Sequence, residues 1–305
     1  MSTSEPSPEQ FRVGPILVFS AVLFCNVLSR TIFSPLLLSI ERDLGVSHAA
    51  GGRLFLFLAI GYSTSMLLSG FVSRALRHRW TILVAIVGSG LSLFLIASGR
   101  EYATVAFGLV ALGAANGLYI PSGIASVYAV SHRSHWGKAI SVHEVGPSIG
   151  LVIGPLLAEV AVRAASWRVV VAAIGAVYLA GGAVYLVLRT GAEHRGAPPV
   201  FTNVSALVAM PKFWISVIFF WLAATVAIGG YSVLPAFLVA ERGISQTVVN
   251  TAISASRVLG VLMTVATGFV VDRFDTTKAL TRFWLVTVGL TIVLALVSGV
   301  TSVVA

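Results

Sequence analysis

The chain has 305 residues, 57% of them hydrophobic and 10% charged, with a mean hydropathy of +0.96 and a net charge of +9. A soluble domain carries about 25% charged residues, so this chain cannot cover a water-facing surface, and an ordinary soluble enzyme or nucleic-acid-binding domain is excluded. Its single cysteine, Cys25, excludes an internal disulfide.

A bilayer core needs roughly 20 apolar residues per helix. Nine stretches qualify: about 13–38, 52–73, 80–98, 102–130, 137–161, 167–188, 212–239, 248–271 and 278–304. They lack sustained two-residue alternation, which predicts an all-α polytopic membrane protein rather than a barrel. With the N-terminus in the cytoplasm, twelve Lys and Arg residues fall in cytoplasmic connections and six on the opposite side. The expectation is a multi-pass protein of the plasma or inner membrane whose last residue lies outside.

The first stretch carries Arg30 in its outer half and runs into "SPLLLSIER" (34–42); the second carries Tyr62 and ends in "SGFVSR" (69–74). The fourth, "LVALGAANGLYIP" (109–121), places Asn116 and Tyr119 among glycines. The fifth contains "HEVGPSIGLVIGP" (143–155), which mimics two enzyme signatures. A zinc site of the H-E-x-x-H type needs a second histidine at position 147, which is Pro147. A nucleophile elbow needs a strand-to-helix turn, whereas Ser148 lies inside an apolar span. No catalytic residue and no metal ligand follow from the motif. Gly146, Gly150 and Gly154 instead share one helical face ahead of Pro155, a small-residue seam that lets two backbones approach in lipid. His143 and Glu144 are the candidate proton-coupling pair; adjacent side chains point about 100° apart, so at most one faces a cavity directly.

The sixth stretch opens with Trp167-Arg168 and leads into a polar, Pro-rich connection. Beyond it, "LPAFLVAER" (234–242) matches 34–42 and "TGFVVDR" (267–273) matches 69–74. Stretches one to three therefore return as seven to nine. The organisation expected is an N-terminal six-helix half (1–188), a cytoplasmic linker (189–211) and a partial C-terminal half (212–305), three helices short of a complete pair.

Arg30 and mid-span Arg257 carry charge where burial costs at least about 2.5–3.5 kcal/mol and usually faces a cavity. They are candidates for attracting an anionic solute, with Asn116, Tyr119, Tyr62, Trp221 and Tyr231 as polar and aromatic surface.

On these residues the chain resembles the major facilitator superfamily. "GFVVDRFDTTKA" (268–279) is similar to that family's loop signature through Gly268, Asp272 and Arg273, and "GFVSRALRHR" (70–79) keeps Gly70 and Arg74 but lacks the acidic residue. The fifth stretch resembles the family's antiporter signature, and Leu109 stands where the fourth helix usually carries Arg. The resemblance implies a six-plus-six helical fold, the fifth helix facing the eighth across the halves, and the two loops as gating elements. It implies a secondary transporter, moving a small organic solute (an anion, drug or metabolite) by alternating access with protons, without a cofactor. The competing readings are a transport-inactive membrane fragment and, less favoured, an intramembrane enzyme. The oligomeric state is left open.

Overall fold

The computed structural model describes residues 12–164, 166–198, 200–225, 238, 243, 245–274 and 276–301. Among them are ten α-helices, one 3-10 turn and no β-strand. The chain enters through α1 (Val13–Thr31) and α2 (Phe33–Leu44), separated only at Ile32, which keeps right-handed helical angles. Gly45 closes α2 with φ 62°, a left-handed conformation that glycine adopts without steric cost.

The second and third expected spans form one 51-residue element, α3 (His48–Ser98), broken at Arg77 by φ 69° and ψ 157°. The break falls in the basic run 74–79. Then come α4 (Tyr102–Ala129), a 3-10 turn (Arg133–His135), α5 (Trp136–Ala164) and α6 (Trp167–Leu188). Ser166 caps α6 by accepting the Arg168 N–H.

The expected linker is less plain than its composition suggests, because it contains α7 (Phe201–Ala209), bent 77° from α8 (Pro211–Ala224). The helices α9 (Gln246–Arg273) and α10 (Thr276–Thr301) complete the described part. Five described helices are long and apolar enough to cross a membrane, or six if α7 and α8 make one bent span. Nearly all of the repeat copy at 234–242 lies outside the described residues.

Close backbone approach organises the first half. Gly113 and Gly117 of α4 lie against the backbone at Leu58 and Tyr62 on the first limb of α3, and Gly61 returns the contact at Val110. On the second limb, Gly90 faces Gly175 and Leu179 of α6. Large apolar side chains point outward as well as inward: Leu67 is 75% exposed and Val187 81%. Such a surface suits lipid, where packing rather than hydrophobicity joins helices.

The seam on α5 forms, but against a different partner from the one expected. A Cβ at Gly146 would overlap the Ser20 carbonyl of α1; one at Gly150 would sit 3.3 Å from the Phe24 oxygen, and one at Gly154 3.4 Å from Thr31 Oγ1. The seam therefore packs within the first half. Helix α9 takes another side of α5, through Gly268 against Gly137 and Ser141. Spacing defines a face of a helix, and shape selects its partner. Pro155 lies within helical α5.

Candidate functional site

Asn116 is the centre of a buried polar cluster that joins four helices. Its Oδ1 accepts from Asn26 Nδ2 of α1 (3.2 Å), Ser89 Oγ of α3 (2.9 Å) and the Tyr178 hydroxyl of α6 (3.1 Å). Its Nδ2 donates to Ser29 Oγ at 3.0 Å, and its backbone oxygen accepts from Asn26 at 2.9 Å. Buried amides in lipid require such partners. Asn116 is only 1% exposed, so in this conformation its amide serves the bundle instead of the open surface expected for it. Sequence reasoning missed Asn26, Ser29 and Tyr178; two asparagines in apolar spans were the available signal.

One turn along α4, the buried Tyr119 hydroxyl donates to the Phe19 carbonyl at 2.6 Å and lies 2.9 Å from His143 Nε2. His143 is buried, and its Nδ1 stands 3.4 Å from Glu144 Oε1, whose side chain is 47% exposed. Tyr119 and His143 are thus joined by a hydrogen bond, while His143 Nδ1 makes none among the described residues and lies near the partly exposed Glu144 carboxylate. Ser20 Oγ donates to the His143 carbonyl (3.2 Å) and accepts the Gly146 N–H (3.1 Å), fixing this part of α5 on α1.

The Arg30 guanidinium lies over the Tyr62 ring, 4.3 Å from its centroid, and Arg30 Nε donates to the Asn26 carbonyl at 3.3 Å. Both residues are half-buried, so two of the expected solute-facing groups come together between α1 and α3. Arg257 is half-buried on α9, Trp221 is 66% exposed on α8, and Tyr231 lies outside the described residues.

At the basic end of the bundle, Asp272 of α9 caps the start of α5. Its carboxylate accepts the N–H of Gly137 at 2.7 Å and that of Lys138 at 3.0 Å. A carboxylate suits the positive end of a helix dipole. Gly268 allows the approach, since a Cβ there would overlap Ser141 Oγ. Beside the contact lies a cavity of about 610 Å³, with Tyr128, Arg133, Trp136, Ser141 and Asp272 in its wall. In the first-half loop, Gly70 is half-buried and Arg74 exposed, as is Arg273 in the second.

At the opposite end, Arg168 binds Asp43 Oδ2 through Nε (3.1 Å) and Nη2 (2.6 Å), and donates to the carbonyls of Ala97 (3.0 Å) and Gly99. Trp167 Nε1 joins it on the same carboxylate at 3.1 Å.

A helical bundle with apolar outer faces, a second segment docked on α5 and a capping loop acid defines a polytopic membrane protein. The sequence matches the Major Facilitator Superfamily over residues 19–305, and the chain belongs to that family. It is 27% identical over 228 residues to the uncharacterized MFS-type transporter YbcL of Bacillus subtilis (strain 168), covering 73% of this chain and 56% of that protein. It is 26% identical over 157 residues to the puromycin resistance protein pur8 of Streptomyces alboniger, covering 50% of this chain and 31% of that one. The chain therefore spans about half or less of the length of these relatives. Among solved structures, the proton:xylose symporter XylE superposes with a TM-score of 0.50 at 15% identity, over 58% of this chain and 45% of that one. A peptide transporter POT superposes with a TM-score of 0.51 at 14% identity, over 74% and 48%. These two likenesses concern the fold. Membership assigns the chain to a family of membrane transporters, not enzymes.

Proposed function

We propose that this chain belongs to a secondary transporter that moves a small organic solute by alternating access, coupled to protons. The observation that carries the reading is the cap of Asp272 on Gly137 and Lys138. It is a breakable charge–dipole contact between the first six-helix half and the segment that begins the second. Opening the bundle at its basic end requires breaking it; closing that end restores it. The excess of Lys and Arg at this end assigns it to the cytoplasm.

Proton coupling is assigned to His143 and Glu144. Nε2 of His143 is engaged by Tyr119, which leaves Nδ1, 3.4 Å from Glu144 Oε1, to take a proton and pass it to the exposed carboxylate. Arg30 on Tyr62, with Arg257 on α9, favours a solute carrying a carboxylate or other anionic group. Efflux of a drug-like solute is the second reading, favoured by the likeness to the puromycin resistance protein.

The test uses proteoliposomes of the purified protein and a panel of radiolabelled anions and drugs under an imposed pH gradient. Gradient-driven transport is expected, and His143→Gln or Glu144→Gln should remove the response to the gradient while sparing solute exchange. Undiminished coupling in both variants would remove these residues from the proton path. Arg257→Gln should weaken transport of acidic solutes; transport of cations alone, untouched by the change, would overturn the anion assignment.

A further inference from the structure

The break in α3 at Arg77 frees backbone donors that a continuous helix would use internally. The N–H groups of His78 and Arg79 then open the second limb, and the chain just past α6 supplies their acceptors. His78 donates to the His194 carbonyl at 3.4 Å and Arg79 to the Ala192 carbonyl at 3.1 Å. Gly196 donates to the Ser73 carbonyl at 3.2 Å, and Ala192 to Ser126 Oγ of α4 at 3.0 Å. Gly191 makes the approach possible: its φ is 112°, and a Cβ there would lie 3.1 Å from Arg79 Cα. Residues 190–196, which leave the first half toward the second, are thus strapped across the basic loop.

The side chains at this strap carry a charge imbalance held in check. His78 is buried, with Nδ1 3.1 Å from Ser122 Oγ of α4, and its ring stands edge-on to that of His194 at 4.8 Å. The ionisable groups facing the pair are Arg77 and Arg79 of α3, Glu193 of the strap and the Tyr185 hydroxyl of α6, which donates to the Arg79 carbonyl; α4 contributes the uncharged Ser122 and Ser126. Glu193 is bound to both arginines, to Arg77 at 3.2 Å and to Arg79 at 2.8 Å. With neutral imidazoles the cluster holds two cations and one anion. With the His78 imidazole protonated it holds three cations around the same carboxylate.

We propose that residues 190–196 form a pH-sensitive clasp, docked on the α3 loop while His78 is neutral and released when it is protonated. Burial first, and His194 second, hold the His78 imidazole below its usual range. A histidine with a depressed pKa when docked favours docking above its free value of about 6.5, and docking is lost as pH falls through and below that value. Glu193 is held below the usual carboxylate range, chiefly by the hydrogen bond from Arg79, so it stays ionised through that window and His78 is the trigger. Release frees seven residues of tether, up to about 25 Å of extended chain. The clasp stands on the first half alone; its effect on the transport cycle rests on the alternating-access reading.

The experiment places a nitroxide on Arg195→Cys in a Cys25→Ser background and records its spectrum in proteoliposomes from about pH 8 to about pH 5. The expected result is an immobilised label at the high end and at least a threefold rise in the mobile fraction at the low end. His78→Gln and His194→Gln should each shift or flatten the transition, and Glu193→Gln should give a mobile label throughout. A label equally mobile at both ends, or a transition that survives in the double histidine variant, would overturn the clasp. These spectra report docking directly, so they hold or fail independently of whether the protein transports any solute tested.

Discussion

The Asp272 carboxylate meets the backbone N–H of Gly137 at 2.7 Å, across 135 residues of sequence. The related loop of the first half has no acid to offer. Its Ser73 carbonyl receives the Gly196 N–H instead. The two loops therefore do different work: one holds α9 to α5, and the other holds the strap.

Asp272→Ala leaves two helix-start N–H groups uncapped and should weaken the α5–α9 contact by roughly 1–2 kcal/mol; Asp272→Asn, which keeps an acceptor, should cost less. The readout is maleimide labelling of Ser141→Cys, a buried position beside Gly268. A severalfold faster reaction in the Asp272→Ala background is expected. An unchanged rate would mean that the cap does not hold this end shut.

The seam predicts a gradient. Gly146→Ala forces a methyl into the Ser20 carbonyl and should lower stability by about 1–3 kcal/mol, the usual range for overpacking. Gly150→Ala should cost less, because only the Phe24 oxygen at 3.3 Å must give way. Gly154→Ala, facing Thr31 Oγ1 at 3.4 Å, should be near neutral. Melting temperatures in one detergent rank the three, and the reverse order would discard the α1–α5 packing.

Asn116→Leu removes four side-chain hydrogen bonds. At an average near 0.6 kcal/mol for each interhelical bond in lipid, the loss should be about 2–3 kcal/mol. Denaturant unfolding in bicelles measures it. A loss below about 0.5 kcal/mol would show that Asn26, Ser89 and Tyr178 find new partners among themselves.

Arg168→Lys keeps the charge toward Asp43 but cannot also reach the carbonyls of Ala97 and Gly99, because lysine lacks the planar fork. About 1–2 kcal/mol of stability should be lost, read by thermal unfolding at moderate salt. High salt should narrow the gap between the two proteins only in part, since the lost carbonyl bonds are held away from bulk water.

Hydropathy located the described helices that are long and apolar enough to span, because lipid solvation acts on each span independently of its neighbours. It misjudged 52–73 and 80–98 only in their connection, where the chain turns at Arg77 without leaving helical geometry for more than one residue. Adjacency sets His143 and Glu144 apart in direction, and the one is buried while the other is half-exposed. The hub was harder to read. Asn26, Ser29, Ser89, Asn116 and Tyr178 come from four helices, and no sequence period links them. The seam on α5 was legible as a face, whereas its partner depended on how α1 and α9 compete for the same helix. The strap at 190–196 left no trace, since several of its bonds run through backbone atoms and Glu193's partners Arg77 and Arg79 lie more than 100 residues away in sequence.

The hub at Asn116 also sets how the first half can move. Pinned at mid-depth through α1, α3, α4 and α6, these helices cannot slide past one another singly without stranding an amide in hydrocarbon. In the alternating-access cycle proposed above, the half would turn as a unit about this hub, with small displacements at the centre and large ones at its ends. Backbone amides flanking Asn26, Ser89, Asn116 and Tyr178 should accordingly exchange with deuterium later than those at either rim.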